Sequence, residues 1–106
     1  MEVTQADGEG TSEVKVSGDL DMHSSPELRK VLTDLVRKKV PHIIINLEAV
    51  PYIDSSGLAT LVECMQGTNR TKARLQLIGV NERIWPVFEL ARLHKVFEIR
   101  RDASVD

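Results

Sequence analysis

Apolar and polar residues alternate through Glu13-Val14-Lys15-Val16-Ser17 until Gly18 stops the run. Period-two alternation over so short a stretch predicts a strand. A shorter extended piece around Glu2 to Gln5 precedes it, and Asp7-Gly8-Glu9-Gly10 between them is a turn signal, so the two form a hairpin. The pattern then changes period. Leu28, Val31, Leu32, Leu35 and Val36 fall at i, i+3, i+4, i+7 and i+8, one apolar stripe, with Arg29, Lys30, Asp34 and Arg37 on the other face. Ser24-Ser25-Pro26-Glu27 opens this helix. Either serine can cap it, Pro26 at the first helical position forfeits no needed hydrogen bond, and Glu27 suits the positive end of the dipole. Pro41 ends the segment.

His42-Ile43-Ile44-Ile45-Asn46-Leu47 is almost continuously apolar and β-branched, the mark of a central parallel strand buried on both faces. Leu58, Leu61, Val62 and Met65 give a second helical stripe, which the polar run Gly67 to Lys72 is expected to close. Arg74 to Gly79 reads as another strand. Asn81 is a candidate cap for a third helix carrying Ile84, Val87, Phe88 and Ala91. Pro86 would fall a turn inside it, so the helix is expected to start nearer Trp85. Lys95 to Ile99 supplies a last strand, and the polar tail beyond it, from about residue 101 to 106, is expected to fray. The order β-β-α-β-α-β-α-β predicts an α/β fold: a small mixed, largely parallel sheet packed with about three helices.

Composition narrows the function classes. The 106 residues suffice for a single domain with one hydrophobic core. Hydrophobic residues at 42% and charged residues at 28% are a globular balance. Fourteen basic against 16 acidic residues give a net charge of -2, which argues against a nucleic-acid or anionic-membrane binder. No apolar run is long enough to span a bilayer, and the acidic start lacks the apolar stretch of a signal peptide, so a cytoplasmic protein is the default. Cys64 is the only cysteine and falls near the second stripe, as a buried structural thiol does. His23, His42 and His94 have no metal-ligand spacing, so neither metal nor cofactor is expected. Trp85 is expected to be partly exposed and Ile53 buried, with Tyr52 open to either state.

The informative chemistry lies between Ile45 and Leu61. A buried strand ends, a short loop follows, and Asp54-Ser55-Ser56-Gly57 leads into a helix, the junction at which open α/β sheets bind ligands and partners. Any of Asp54, Ser55 and Ser56 can cap the helix. Capping accounts for one of them but not for Gly57, which costs about 1 kcal/mol relative to alanine inside a helix. A functional site and a plain cap both fit these residues. A helix N-terminus offers unpaired N–H groups and about half a positive charge, so it could hold a phosphoserine without refolding. Nucleophilic catalysis fits poorly. The Gly-x-Ser-x-Gly elbow is absent, His23 is the only base candidate nearby, and Asp54 would oppose an oxyanion beside it. Phosphate-loop and dinucleotide fingerprints are missing too, and no enzyme is expected.

Gly18-Asp19-Leu20-Asp21, His42 to Leu47 and Tyr52-Ile53-Asp54-Ser55-Ser56-Gly57-Leu58, in that order and spacing, resemble the anti-sigma factor antagonists of the STAS family. The likeness runs from about Glu13 to Ile99. It implies that Ser55, directly after the motif aspartate, is the phosphoacceptor. It also implies that the unphosphorylated domain binds an anti-sigma factor, a serine kinase of the histidine-kinase-like ATPase type, and so frees a sigma factor. The kinase phosphorylates the serine and the complex dissociates; a PP2C-type phosphatase resets it. The partner surface carried over comprises Asp21, Met22, His23 and Ser24 together with Asp54, Ser55, Ser56, Gly57 and Leu58, on a monomer or weak homodimer. The same resemblance admits a binding subunit of a transporter ATPase or of a stress-signalling scaffold.

Overall fold

The computed structural model describes residues 1–103. Its elements follow the predicted order: β1 (Glu2–Gly8), β2 (Thr11–Ser17), α1 (Ser25–Arg37), β3 (His42–Ala49), α2 (Ser55–Thr71), β4 (Arg74–Ile78), α3 (Trp85–Leu90) and β5 (Glu98–Ile99). The strands lie side by side in sequence order in one sheet. β1 pairs antiparallel with β2, and every later pair is parallel. The expected mixed, largely parallel sheet with three helices is therefore present.

Parallel neighbours need crossovers, and the three helices supply them. Leu28, Leu32 and Leu35 of α1, Leu61 and Cys64 of α2, and Ile84 and Phe88 of α3 all join one cluster with Val14, Val16, Ile43, Ile45, Leu47, Leu75 and Leu77 of the sheet. The helices thus share one face. Ile44 and Asn46 alternate to the other face yet are also buried, as expected for β3.

Several boundaries differ from the sequence expectation. β1 runs to Gly8, so the hairpin turn shrinks to Glu9-Gly10, with Gly10 at φ +70°. α2 does not close at Gly67. It continues to Thr71 because Gly67 and Thr68 are buried, Gly67 against Val36 of α1, and tertiary packing outweighs the polar local sequence. α3 starts at Trp85, as Pro86 required, but Ala91 lies beyond its end and is exposed. The last strand is only Glu98–Ile99. Val96 and Phe97 instead donate their N–H groups to the Leu93 carbonyl in a turn, and Phe97 meets Phe88 edge-on. The tail is held at its start: Arg101 Nε donates to the Val80 carbonyl and its guanidinium stacks 4.5 Å from the Trp85 ring centroid, while Gly79 N–H donates to the Asp102 carbonyl. Residues 104–106 of the expected frayed tail lie outside the described residues.

Candidate functional site

Two loops at the same end of the parallel strands build the site. The β2–α1 loop and the β3–α2 loop run alongside each other, joined by a parallel bridge between Leu20 and Ile53. Leu20 N–H donates to the Tyr52 carbonyl at 2.9 Å, and Asp54 N–H donates to the Leu20 carbonyl at 3.1 Å. Leu20 and Ile53 are both buried, so the sequence pins the loops together through two apolar side chains.

Asp54 is the cap of α2. Its backbone is extended, and its Oδ1 accepts from Gly57 N–H at 3.0 Å. Its Oδ2 accepts from Met22 N–H at 3.2 Å. One carboxylate therefore ties the helix start to the Asp21–Ser24 turn. Gly57 permits this contact. A Cβ at that position would lie 2.6 Å from the Leu20 carbonyl oxygen and 2.8 Å from both Ile53 Cγ1 and Leu20 Cγ. The bareness that the sequence left unexplained is a close approach of backbone to helix.

With the cap assigned to Asp54, the exposed Ser55 hydroxyl takes no part in it. Ser56 is half-buried and its carbonyl accepts from Thr60 Oγ1 at 3.1 Å. Gly57 N–H is taken by the Asp54 side chain and Leu58 N–H by the Asp54 carbonyl. The first N–H groups of a helix have no intrahelical partner, which leaves those of Ser55 and Ser56 for an incoming acceptor.

The neighbouring turn is organised by its own polar groups. Asp21 Oδ1 accepts from His23 N–H at 3.0 Å and Ser24 N–H at 3.1 Å. The Ser24 N–H chiefly, with that of His23 and the Ser24 hydroxyl, holds the Asp21 carboxyl below its ordinary value. Ser24 Oγ accepts from Asp21 N–H at 2.9 Å and donates to the Asp19 carbonyl at 2.7 Å. Of the two serines that could cap α1, Ser24 stands at the N-cap position but makes no side-chain cap bond; its hydroxyl is spent on the turn.

The structure brings the nine residues that the resemblance names together where the two loops meet, with Gly57 buried among them. Met22 at 66% exposure and Tyr52 at 53% are the exposed large apolar groups of these two loops. Of the two states the sequence allows for Tyr52, the structure has the exposed one, with its carbonyl turned inward to Leu20 N–H at 2.9 Å. Leu58 is half-buried against the core. Among the described residues, no group of three or more His, Cys, Asp or Glu could hold a metal. Cys64 is on the buried face of α2, and burial pushes its thiol up to about 12, so it stays protonated.

The STAS domain matches this chain over residues 2–104. The chain belongs to the STAS domain family. Among its relatives, the anti-sigma-B factor antagonist of Staphylococcus aureus (strain NCTC 8325 / PS 47) is 36% identical over 94 residues, covering 89% of this chain and 87% of the relative. Solved structures of two proteins show the same STAS fold. The Thermotoga maritima protein TM1081 superposes with a TM-score of 0.86 at 19% identity, over 92% of this chain and 85% of that one. The anti-sigma factor antagonist SpoIIAA in its unphosphorylated form gives a TM-score of 0.74 at 20% identity, over 97% and 90%. SpoIIAA in its phosphorylated form gives 0.75, over 92% and 90%, so the fold is common to both forms of that protein.

Proposed function

We propose that this STAS domain is an anti-sigma factor antagonist switched at Ser55. The unphosphorylated form binds an anti-sigma factor serine kinase through the Asp21–Ser24 turn and the Asp54–Leu58 helix start, and thereby releases a sigma factor. Phosphorylation of Ser55 by that kinase ends the interaction, and a PP2C-type phosphatase restores it. The protein acts in the cytoplasm as a binding partner, not as an enzyme. The observation that carries this reading is the exposed Ser55 hydroxyl in the first turn of α2, relieved of capping by Asp54. The name of the Staphylococcus aureus relative points the same way.

The physics of release follows from the surroundings. A phosphate adds roughly -1.5 to -2 charges beside the Asp54 carboxylate. The Ser55 and Ser56 N–H groups and the helix dipole offset part of that charge, so the fold survives. The surface does not survive as a docking patch. Met22 and Tyr52 are exposed on the two loops that meet at this helix start, and a partner covering that surface would have to strip water from a dianion. Acidic groups or a nucleotide phosphate on the partner would add direct repulsion.

Incubation with the anti-sigma factor kinase and ATP, followed by mass spectrometry, should place one phosphate on Ser55. By calorimetry, Ser55→Ala should bind the kinase like the wild type, and Ser55→Asp should bind about tenfold more weakly. Phosphate on another residue, or equal affinity for wild type and Ser55→Asp, would falsify the switch.

A further inference from the structure

The loop that delivers Ser55 is held from two sides. On one side its carbonyls meet the main chain of the β2–α1 loop: Gly18 N–H donates to the Ala49 carbonyl at 3.0 Å and Leu20 N–H to that of Tyr52 at 2.9 Å. On the other side a side chain does the work. Asn81, in the β4–α3 loop, donates from Nδ2 to the Val50 carbonyl at 2.9 Å, with the Leu47 and Glu48 carbonyls at 3.4 and 3.5 Å. Among the described residues this amide is the one hydrogen-bonded link between the two loops. They are pressed together there: a Cβ on Gly79, at φ +68°, would lie 2.7 Å from Glu48 Cβ and 2.8 Å from Glu48 N.

The same side chain also faces its own helix. Asn81 Oδ1 accepts from Arg83 N–H at 2.9 Å, and the Asn81 carbonyl accepts from Trp85 N–H at 2.9 Å, so the residue shapes the entry to α3 as well. The two halves of one amide therefore have separate duties. The oxygen serves α3, and the nitrogen fixes Val50, four residues before Asp54.

We propose that Asn81 is a positioning residue for the Ser55 switch: its amide N–H clamps the Val50 carbonyl and so sets where Tyr52 and Ser55 stand for the kinase. This rests on the anti-sigma factor antagonist reading. Val50 N–H donates to the Leu47 carbonyl at 3.0 Å, Pro51 has no N–H to give, and the Leu20 pairing holds Tyr52 and Ile53, so the Asn81 amide is what anchors the Val50 carbonyl on the opposite side. Losing the donor leaves the Val50 carbonyl unpaired and frees the loop to shift.

The chemistry of the amide supplies the test. At neutral pH, Asn81→Asp keeps an oxygen for Arg83 N–H but has no donor for Val50; Asn81→Ala loses both. Hydrogen exchange on the whole chain should show the amides from Tyr52 to Gly57 exchanging about tenfold faster in both variants, with those of α1 unchanged. In kinase assays the KM for Ser55 phosphorylation should rise about fivefold with kcat retained. With both variants fully folded in the assay, Asn81→Asp should raise KM at least as much as Asn81→Ala, because it keeps the Arg83 contact but turns a carboxylate oxygen toward the Val50 carbonyl. A merely structural role would leave KM unchanged as long as the variants stay folded. Unchanged exchange in Asn81→Asp would remove the clamp, and faster exchange with unchanged KM would remove its part in the switch. A wild-type chain that the kinase never phosphorylates at Ser55 would instead overturn the reading on which the proposal rests, while the exchange result still decides the clamp.

Discussion

At the scale of single residues, Asp54, Ser55 and Gly57 divide three duties that the sequence presents as one run. Asp54 carries the mechanical load, accepting from Gly57 N–H and from Met22 N–H. Its truncation should therefore cost more than an ordinary cap. Asp54→Ala is expected to lose about 1–2 kcal/mol in urea unfolding, whereas Ser55→Ala, whose hydroxyl supports nothing in the fold, should stay within about 0.5 kcal/mol of wild type. Equal losses for the two variants would mean that the cap is shared. Gly57 has a different duty, which is to be absent. Alanine there would gain about 1 kcal/mol of helix propensity. It would also drive a methyl to 2.6 Å from the Leu20 carbonyl, a backbone group fixed by its bond from Asp54 N–H. Overpacking against fixed backbone belongs at the upper end of the usual range of about 1–3 kcal/mol. Gly57→Ala should come out destabilised by about 2 kcal/mol net, and a melt at or above the wild-type temperature would show that the loop yields freely.

Elements raise a question of the same form at the contact between α1 and α2. The polar run from Gly67 to Lys72 looks like a helix end, yet α2 passes through it and stops at Lys72 in the left-handed conformation, φ 61°. The reason lies outside the segment. Gly67 lets α1 approach so closely that a Cβ would sit 2.8 Å from Val36 Cγ1. Gly67→Ala should cost about 1 kcal/mol despite its better propensity, and Val36→Ala in the same chain should relieve it, giving a double-mutant coupling of about 1 kcal/mol. Additive losses would place the cost elsewhere. This contact shows what period and composition can carry. The stripes of α1 and α2, the β-branched run of β3 and the Pro26 start are local signals, and the structure keeps them, with Pro26 one place inside α1, which begins at Ser25. Gly67 packs against a residue 31 positions earlier, and Asn81 reaches a carbonyl equally far back in the chain. Neither leaves a local trace. The Asp54-Ser55 junction was legible because its chemistry is sequential. The exposure of Tyr52 was not, because a carbonyl bond to Leu20 decides it. The last strand was overread for a related reason: Val96 fits the alternation, but a turn on Leu93 leaves it 54% exposed.

For the whole molecule, the informative variable is pH, because the perturbed carboxyls are spread over separate parts of the fold. Asp7 is held below its ordinary value by Gln5 and then Ser12 in the β1–β2 hairpin. Asp21 is held down chiefly by the Ser24 N–H in the Asp21–Ser24 turn. Glu98 is held down chiefly by its hydrogen bond to Arg74 where β5 meets β4. In each case the folded state favours the carboxylate more than the unfolded chain does. The resulting stability is complete above the ordinary carboxyl values and is lost as pH falls through the lowered folded ones. The thermal midpoint should be nearly level from pH 7 to about 5 and then decline below about pH 4.5. Asp21 offers a way to divide that decline. An amide at this position keeps an oxygen for the His23 and Ser24 N–H groups but has no proton to take up. Asp21→Asn should therefore lower the midpoint at pH 7, where the charge strengthens both bonds, and flatten the acid decline. Should the variant instead keep the wild-type acid slope, the hairpin and the β4–β5 edge alone would set acid stability. Below pH 4.5 the Asp21–Ser24 turn would then stay ordered while the sheet edges fail. The two outcomes separate by following hydrogen exchange at Met22 to Ser24 as the pH is lowered, since those amides are read independently of global unfolding.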